Sequence, residues 1–112
     1  MELTTETQGR ATIVRLRGEI DLHVAGQVRR AVLAAVDAGG PVVVDMNGVA
    51  YIDSSGIASL VEGLQRARAR KQTLSLARVP DVAARVMRIA RLDHVFTIHD
   101  TVADALAGDG AA

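Results

Sequence analysis

The hydrophobic and polar positions in the first part of the chain predict a strand hairpin, a helix and another strand. Residues 11–17 alternate with the period of two that is typical of a strand, with arginines on one face. Residues 3–7 alternate more weakly, and the short link between the two strands predicts an antiparallel hairpin. Residues 22–38 carry apolar side chains at helical spacing, and Gly39-Gly40 ends that helix. The strand that begins at Val42 completes a βαβ unit, which predicts a parallel pair with a right-handed crossover.

The central stretch, residues 42–64, predicts a buried strand, a short loop and a helix that opens on two serines. Residues 42–44 are three valines, a run that suits a strand covered on both faces. Asn47-Gly48 then has the chemistry of a turn. The helix begins at about Ser55, and its apolar positions are Ile57, Leu60, Val61 and Leu64. The tetrapeptide Asp53-Ser54-Ser55-Gly56 therefore lies between the loop and the helix.

The remainder of the chain predicts two more strands and two more helices. The strands are residues 73–79 and 95–98, and the apolar positions of the helix between them are Val82, Val86, Met87 and Ala90. Asp100 or Thr101 caps the last helix. The predicted fold class is therefore α/β, with a small mixed sheet of four or five strands and about four helices. The single domain is expected to span residues 1–107, and residues 108–112 are expected to form a flexible C-terminal tail.

Composition and charge narrow the class of function. The chain has 112 residues, which is the size of one domain, and its formal net charge is zero. Tyr51 and Phe96 are its only aromatic residues, so neither charge attraction nor base stacking favours a nucleic-acid partner. The absence of cysteine excludes disulfides and thiolate sites and is compatible with a cytoplasmic location. The N-terminal residues lack a signal-peptide pattern, and no apolar segment approaches the roughly 20 residues of a membrane span. No membrane partner is expected.

The tetrapeptide Asp53-Ser54-Ser55-Gly56 has two interpretations. Aspartate and serine are preferred N-cap residues, because their side-chain oxygens accept the free amide protons of the first helical turn. The same place is suited to phosphorylation, because a helix N-terminus favours negative charge and a loop exposes the hydroxyl. Asp21, which ends the sequence Gly18-Glu19-Ile20-Asp21, also has the simple interpretation of a strand end with a helix cap.

A stripe of small residues lies on the same helix as the serine pair. Ser55, Ser59 and Gly63 recur every four residues, so they share one face. One interpretation is that small side chains let the helix approach the sheet. The other is that they form a flat docking surface beside Ser54, which is slightly favoured because Ile57 and Leu60 already supply core contacts.

Enzymatic functions are not favoured by the sequence. A serine hydrolase needs a serine on a strained turn with a histidine and an acid in reach, and Ser54 lacks the flanking pattern. His23, His94 and His99 are scattered and lack the spacing of a zinc site. No phosphate-binding loop of the Gly-x-x-x-x-Gly-Lys type is present. We therefore expect no catalytic residue, metal site or cofactor.

Three stretches together match the pattern of a known family. Leu16 to Asp21 is similar to an apolar-x-Gly-Glu-apolar-Asp motif, and Val43 to Ile57 is similar to a strand followed by an Asp-Ser-Ser/Thr-Gly-Leu-Gly helix start. Leu92 and His94-Val95-Phe96 are similar to the end of a third helix and a last strand. Over roughly residues 3–106 the sequence resembles the STAS domain family, and specifically its stand-alone bacterial anti-sigma factor antagonists.

This resemblance implies a phosphorylation switch. In the family, the unphosphorylated antagonist binds an anti-sigma factor that is also a serine kinase, and the sigma factor is released. The kinase, which holds the ATP, then phosphorylates the first serine after the aspartate, and a serine phosphatase reverses the modification. In this sequence that serine is Ser54. The phosphate adds roughly −1.5 to −2 charges at pH 7 beside Asp53 and near Asp21. The residues expected to meet the partner are Asp21, Asp53, Ser54, Ser55, Gly56, Ser59 and Gly63.

Three positions depart from the family pattern, and one other function stays open. Ala58 stands where a second glycine is usual, Val24 where a threonine commonly begins the first helix, and Arg91 near a frequent glycine. The alternative function is a STAS subunit of a larger assembly, such as a lipid-transport ATPase complex or a stress-signalling particle. That function needs no phosphorylation, so the intact motif at Asp53-Ser54-Ser55-Gly56 favours the antagonist.

Overall fold

The computed structural model describes residues 1–110, with side chains through residue 108. Five strands and four helices follow one another as β1 (Glu2–Gln8), β2 (Ala11–Ile20), α1 (Ala25–Asp37), β3 (Val42–Ile52), α2 (Ser54–Ala69), β4 (Leu74–Ala77), α3 (Asp81–Ile89), β5 (Thr97–His99) and α4 (Val102–Gly110). The strands form one sheet in the order β1-β2-β3-β4-β5. β1 is antiparallel to β2, and every other pair is parallel. The predicted α/β domain with a small mixed sheet is confirmed.

The helices lie on both faces of the sheet. The larger core packs α1, α2 and α3 against residues such as Val42 and Val44, whereas Val43 points to the opposite face. On that opposite face Ala105 of α4 packs with Val43 and Ile13. The valine run is therefore buried on both sides, as the continuous apolar pattern predicted.

The connection between β2 and β3 follows the predicted crossover, but α1 begins later than expected. The helix starts at Ala25, because the carbonyl oxygen of Asp21 accepts the N–H groups of Val24 and Ala25 and forms a tight turn first. The helix ends before Gly39, whose φ of 90° is a left-handed conformation that glycine adopts without strain. The predicted helix end at the glycine pair is confirmed.

The predicted turn at Asn47-Gly48 is wrong. β3 continues through both residues to Ile52, because β2 pairs with it along the whole length. The register shifts between Arg15 and Arg17, so Met46 and Asn47 together lie opposite Leu16 in a β-bulge, and Gly48 pairs with Arg17 as the strand continues. Glycine is required at position 48 because a Cβ atom there would lie only 2.7 Å from Cγ of Arg17.

The C-terminal elements are close to those predicted but differ in their bounds. β4 and β5 are shorter than expected, and β5 begins at Thr97. Thr101 caps α4, since its hydroxyl oxygen accepts the N–H of Asp104 at 2.9 Å. α4 continues through Gly110, past the predicted start of the tail, and residues 111–112 lie outside the described residues. No helix within residues 1–110 is both long enough and apolar enough to cross a bilayer.

Candidate functional site

The candidate site lies at the carboxyl ends of the two central parallel strands. Ile20 of β2 pairs with Ile52 of β3, and Asp21 and Asp53 follow them directly. The backbone N–H of Asp53 also donates to the carbonyl oxygen of Ile20 at 3.2 Å. The predicted proximity of the two aspartates at one sheet edge is therefore present in the structure. Ser54 follows Asp53 as the first residue of α2.

Asp53 caps α2 with its side chain. Its Oδ1 atom accepts the backbone N–H of Ser55 at 3.0 Å, the backbone N–H of Gly56 at 3.2 Å, and the Ser55 hydroxyl. The bond from the Ser55 hydroxyl is the largest influence that holds the pKa of Asp53 below its ordinary value, and the backbone N–H groups add to it. The carboxylate is thus ionised at neutral pH and adds a negative charge beside Ser54. The simple interpretation of this aspartate as a helix cap is correct.

Replacing Asp53 by alanine is expected to lower the free energy of unfolding by about 1–2 kcal/mol at pH 7, the usual cost of losing such a cap. The folded pKa lies below the ordinary value of 3.8. The stabilisation is therefore complete above that value and disappears as the pH falls through the folded pKa. Urea unfolding of the wild type and Asp53→Ala, from pH 7 down to about pH 2, measures the difference. A difference that stayed constant over the whole range would contradict the assigned role.

The two serines of the motif differ in their surroundings. Ser54 is exposed, and within the described residues its hydroxyl makes no hydrogen bond. Ser55 is half-buried, and its hydroxyl donates to Asp53. A kinase that needs an accessible hydroxyl would therefore find it at Ser54, while modification of Ser55 would first have to break the bond to the cap.

The interpretation of the small residues as a docking surface is contradicted by the structure, because Ser59 and Gly63 are buried. Ser59 is 5% exposed, and its hydroxyl donates to the carbonyl oxygen of Ala25 in α1 at 3.0 Å. At Gly63 a Cβ atom would lie 2.2 Å from a methyl carbon of Val32, also in α1. The small residues let α2 approach α1, whereas the sequence interpretation considered only the sheet or a partner.

Gly56 is buried as well, and it faces the sheet. A Cβ atom at this position would lie 2.7 Å from Cγ1 of Ile52 and 2.9 Å from Cγ2 of Ile20. The glycine therefore brings the first turn of α2 against the ends of β2 and β3. Gly56 was expected to contact the partner, but it is buried and cannot do so directly. Its role is to position the first turn of α2.

An apolar groove of about 530 Å³ lies between α2 and α3 beside Ser54. Its lining residues are Ser54, Ile57, Ala58, Val61, Glu62, Val86, Ile89, Ala90 and Leu92. Ile89 is 77% exposed, which is unusual for a large aliphatic side chain. The sequence interpretation missed this groove, because it took the apolar residues of α3 as core. The available signal was that α3 carries more apolar residues than one buried stripe requires.

The family model described as the STAS domain matches residues 2–105. The chain belongs to the STAS domain family. The resemblance inferred from the sequence is confirmed. No curated protein of matching sequence was found.

Solved structures share the fold of this STAS domain. The anti-sigma factor antagonist SpoIIAA in its unphosphorylated form has a TM-score of 0.85 and 19% identity, covering 99% of this chain and 98% of that chain. An anti-sigma factor antagonist from Mycobacterium paratuberculosis has a TM-score of 0.88 and 23% identity, covering 97% and 93%. The Bacillus cell fate determinant SpoIIAA in the phosphorylated form has a TM-score of 0.76 and 20% identity, covering 96% and 98%. At these identities the similarity shows the fold.

The three departures from the STAS pattern have different structural consequences. Arg91 has a φ of 61°, a left-handed conformation that explains why glycine suits this position. Val24 is the N-cap of α1 and provides no side-chain hydrogen bond, a bond that threonine offers. Ala58 is exposed in the groove, so its methyl group adds to the apolar lining.

Proposed function

We propose that this STAS domain is an anti-sigma factor antagonist that is switched by phosphorylation of Ser54. The unphosphorylated protein binds an anti-sigma factor that is also a serine kinase, and the bound sigma factor is released to direct transcription. The observation that carries the proposal is the position of Ser54. Its exposed hydroxyl lies on the rim of an apolar groove and follows directly after the ionised cap Asp53.

The hydrogen bonds of the cap explain how a phosphate on Ser54 would act. A phosphate at a helix N-terminus is normally attracted to the free amides of the first turn. Here the amides of Ser55 and Gly56 already donate to Asp53. The phosphate would therefore stay at the surface and change charge more than conformation. Its charge of roughly −1.5 to −2 would lie close to Asp53 and Asp21. Binding would then be disfavoured, because a partner that covers the groove would have to desolvate this negative charge.

The groove supplies a surface on which such a partner can dock. Ile89 of α3 and Ala58 of α2 are both exposed along it, so covering the groove would remove apolar area from water. Docking there would also place the partner's active site near Ser54. Because binding and phosphorylation would then use one surface, the modification can end the interaction that made it possible.

In this proposal the partner proteins catalyse the addition and removal of the phosphate, and this chain catalyses neither reaction. The anti-sigma factor holds the ATP and acts as the kinase, and a separate serine phosphatase restores the hydroxyl. The STAS domain needs no cofactor, because its contribution is an accessible serine and a docking surface. The proposed location is the cytoplasm, where a sigma factor, its anti-sigma factor and ATP are found together.

The proposal is tested by mapping phosphorylation on protein purified from its own host. The wild type, Ser54→Ala and Ser55→Ala are expressed there under growth and stress, and intact mass and peptide mapping locate the phosphate. We expect one phosphate on Ser54 in the wild type and in Ser55→Ala, and none in Ser54→Ala. Phosphate on Ser55 instead, or no phosphate under any condition, would contradict the switch. The second result would favour the subunit of a larger assembly.

A further inference from the structure

A second pocket, lined mainly by polar and charged residues, lies on the face of the sheet opposite the apolar groove beside Ser54. α4 covers that face at β3, β4 and β5 and over Ile13 of β2, and the more exposed Arg15 and Arg17 lie farther along β2. A pocket of about 230 Å³ lies there, and three arginines line it: Arg15, Arg17 and Arg78. None of these residues has a role in the proposed switch.

A buried carboxylate orients two of the arginines. Asp45 is 3% exposed, and its Oδ2 atom accepts hydrogen bonds of 2.6 Å from both Arg15 and Arg78. Its Oδ1 atom accepts the Nε–H of Arg78 at 3.0 Å and the backbone N–H of Asn47 at 3.2 Å. Burial alone raises the pKa of Asp45, but the bonds from Arg78, Asn47 and Arg15 outweigh it and lower the pKa. The carboxylate therefore stays charged and holds both guanidinium groups in place.

The guanidinium groups retain donors after these bonds are formed. Each has five N–H groups. Arg78 donates to Asp45 from Nε and from one terminal nitrogen. Arg15 donates to Glu6 from Nε and from one terminal nitrogen, and its other terminal nitrogen donates to Asp45. Both side chains are about two-fifths exposed, at 39%. Their remaining N–H groups are thus positioned by the ion pairs and accessible to a ligand.

Arg17 also lines the pocket, and it is positioned by the pairing of β2 with β3. It is exposed on β2, and its side chain lies over Gly48, where any Cβ atom would contact it. The β-bulge of β3 is what brings Gly48 opposite Arg17. The bulge that replaced the predicted turn therefore adds a third arginine side chain to the lining of the pocket.

We propose that this pocket binds the phosphate group of a small ligand. Asp45, Glu2 and Glu6 together balance the charge of the three arginines, so the site attracts an anion through the arginine N–H groups that no carboxylate accepts and not through a net charge. A tetrahedral dianion accepts hydrogen bonds from three separate directions, whereas a carboxylate presents only two oxygens. Free phosphate and a phosphorylated metabolite share this chemistry, and the pocket volume leaves room for a small group attached to the phosphate.

The proposal is tested by titration of the ¹⁵N-labelled protein at constant ionic strength, with chloride replaced by inorganic phosphate or by ribose 5-phosphate. We expect saturable shifts of the backbone amide signals of Asn47 and Gly48, which line the pocket. Arg17→Gln should weaken binding about tenfold, because one charged contact is lost. Arg30→Gln is the matched control on the exposed face of α1 and should bind like the wild type.

Each outcome of this titration decides a separate point. Tighter binding of ribose 5-phosphate identifies a phosphorylated metabolite, and equal or weaker binding identifies free phosphate. Shifts that do not saturate would overturn the proposal, as would equal affinities of Arg17→Gln and the wild type. Unchanged spectra far from the pocket show that Arg17→Gln remains folded, so that a loss of binding reports on the pocket.

Discussion

Gly63→Ala is expected to lower the free energy of unfolding by about 2 kcal/mol, although alanine favours helices by about 1 kcal/mol over glycine. The new Cβ atom would lie 2.2 Å from a methyl carbon of Val32, and that side chain is fully buried. Neither atom can move into solvent, so α1 and α2 must separate and lose packing along their contact. Urea denaturation followed by circular dichroism measures the change.

Gly26→Ala is the matched control for this substitution. Gly26 lies on the exposed face of α1, and a Cβ atom there would meet only the end of the flexible Arg30 side chain, at 3.4 Å. The same added methyl group should therefore not destabilise the protein, and it should add up to about 0.5 kcal/mol through helix propensity, because Gly26 is the second residue of α1 and not in its interior. If Gly63→Ala were as stable as Gly26→Ala, the helix contact would be open, and the small residues could again be considered a docking surface.

The contrast between the two glycines explains why the stripe was misinterpreted. Helical spacing establishes that Ser59 and Gly63 share a face of α2, but it does not identify what covers that face. The sequence interpretation gave the core contact to Ile57 and Leu60 and left the neighbouring face to a partner. In the fold α2 has two buried sides, one against the sheet and one against α1. The contact with α1 joins segments that are distant in sequence, so it could not be predicted from the spacing of residues within α2.

The order of strands and helices along the chain could be predicted because apolar residues recur with different periods in strands and in helices. The valine run at 42–44 and the apolar positions of α2 predicted the correct types of element, and the strand-helix-strand order predicted the parallel pairing of β2 and β3. The turn at Asn47-Gly48 failed because turn propensity is local, whereas pairing with β2 along the strand is not. The position of Ser54 was predictable from its capping aspartate, but the groove beside it depends on how α2 and α3 pack.

Ser54→Asp is expected to weaken binding to the anti-sigma factor by at least tenfold, equivalent to about 1.4 kcal/mol, while Ser54→Ala binds like the unmodified protein. Aspartate supplies one negative charge on the groove rim, next to Asp53, where the proposal places a phosphate of higher charge. Isothermal titration calorimetry with the purified partner measures both affinities. Full phosphorylation should weaken binding further than Ser54→Asp does, because its charge is larger.

Two controls show whether Ser54→Asp weakens binding through unfolding or through the added charge of the whole protein, and not through its position. Acidic residues suit the first turn of a helix, so Ser54→Asp should unfold at no lower urea concentration than the wild type. Ala103→Asp adds the same charge to the exposed surface of α4, on the other face of the sheet, and should leave binding unchanged. High salt should restore part of the affinity of Ser54→Asp by screening the repulsion. Equal weakening by the two aspartates, or none by Ser54→Asp, would show that the groove rim is not where the partner binds.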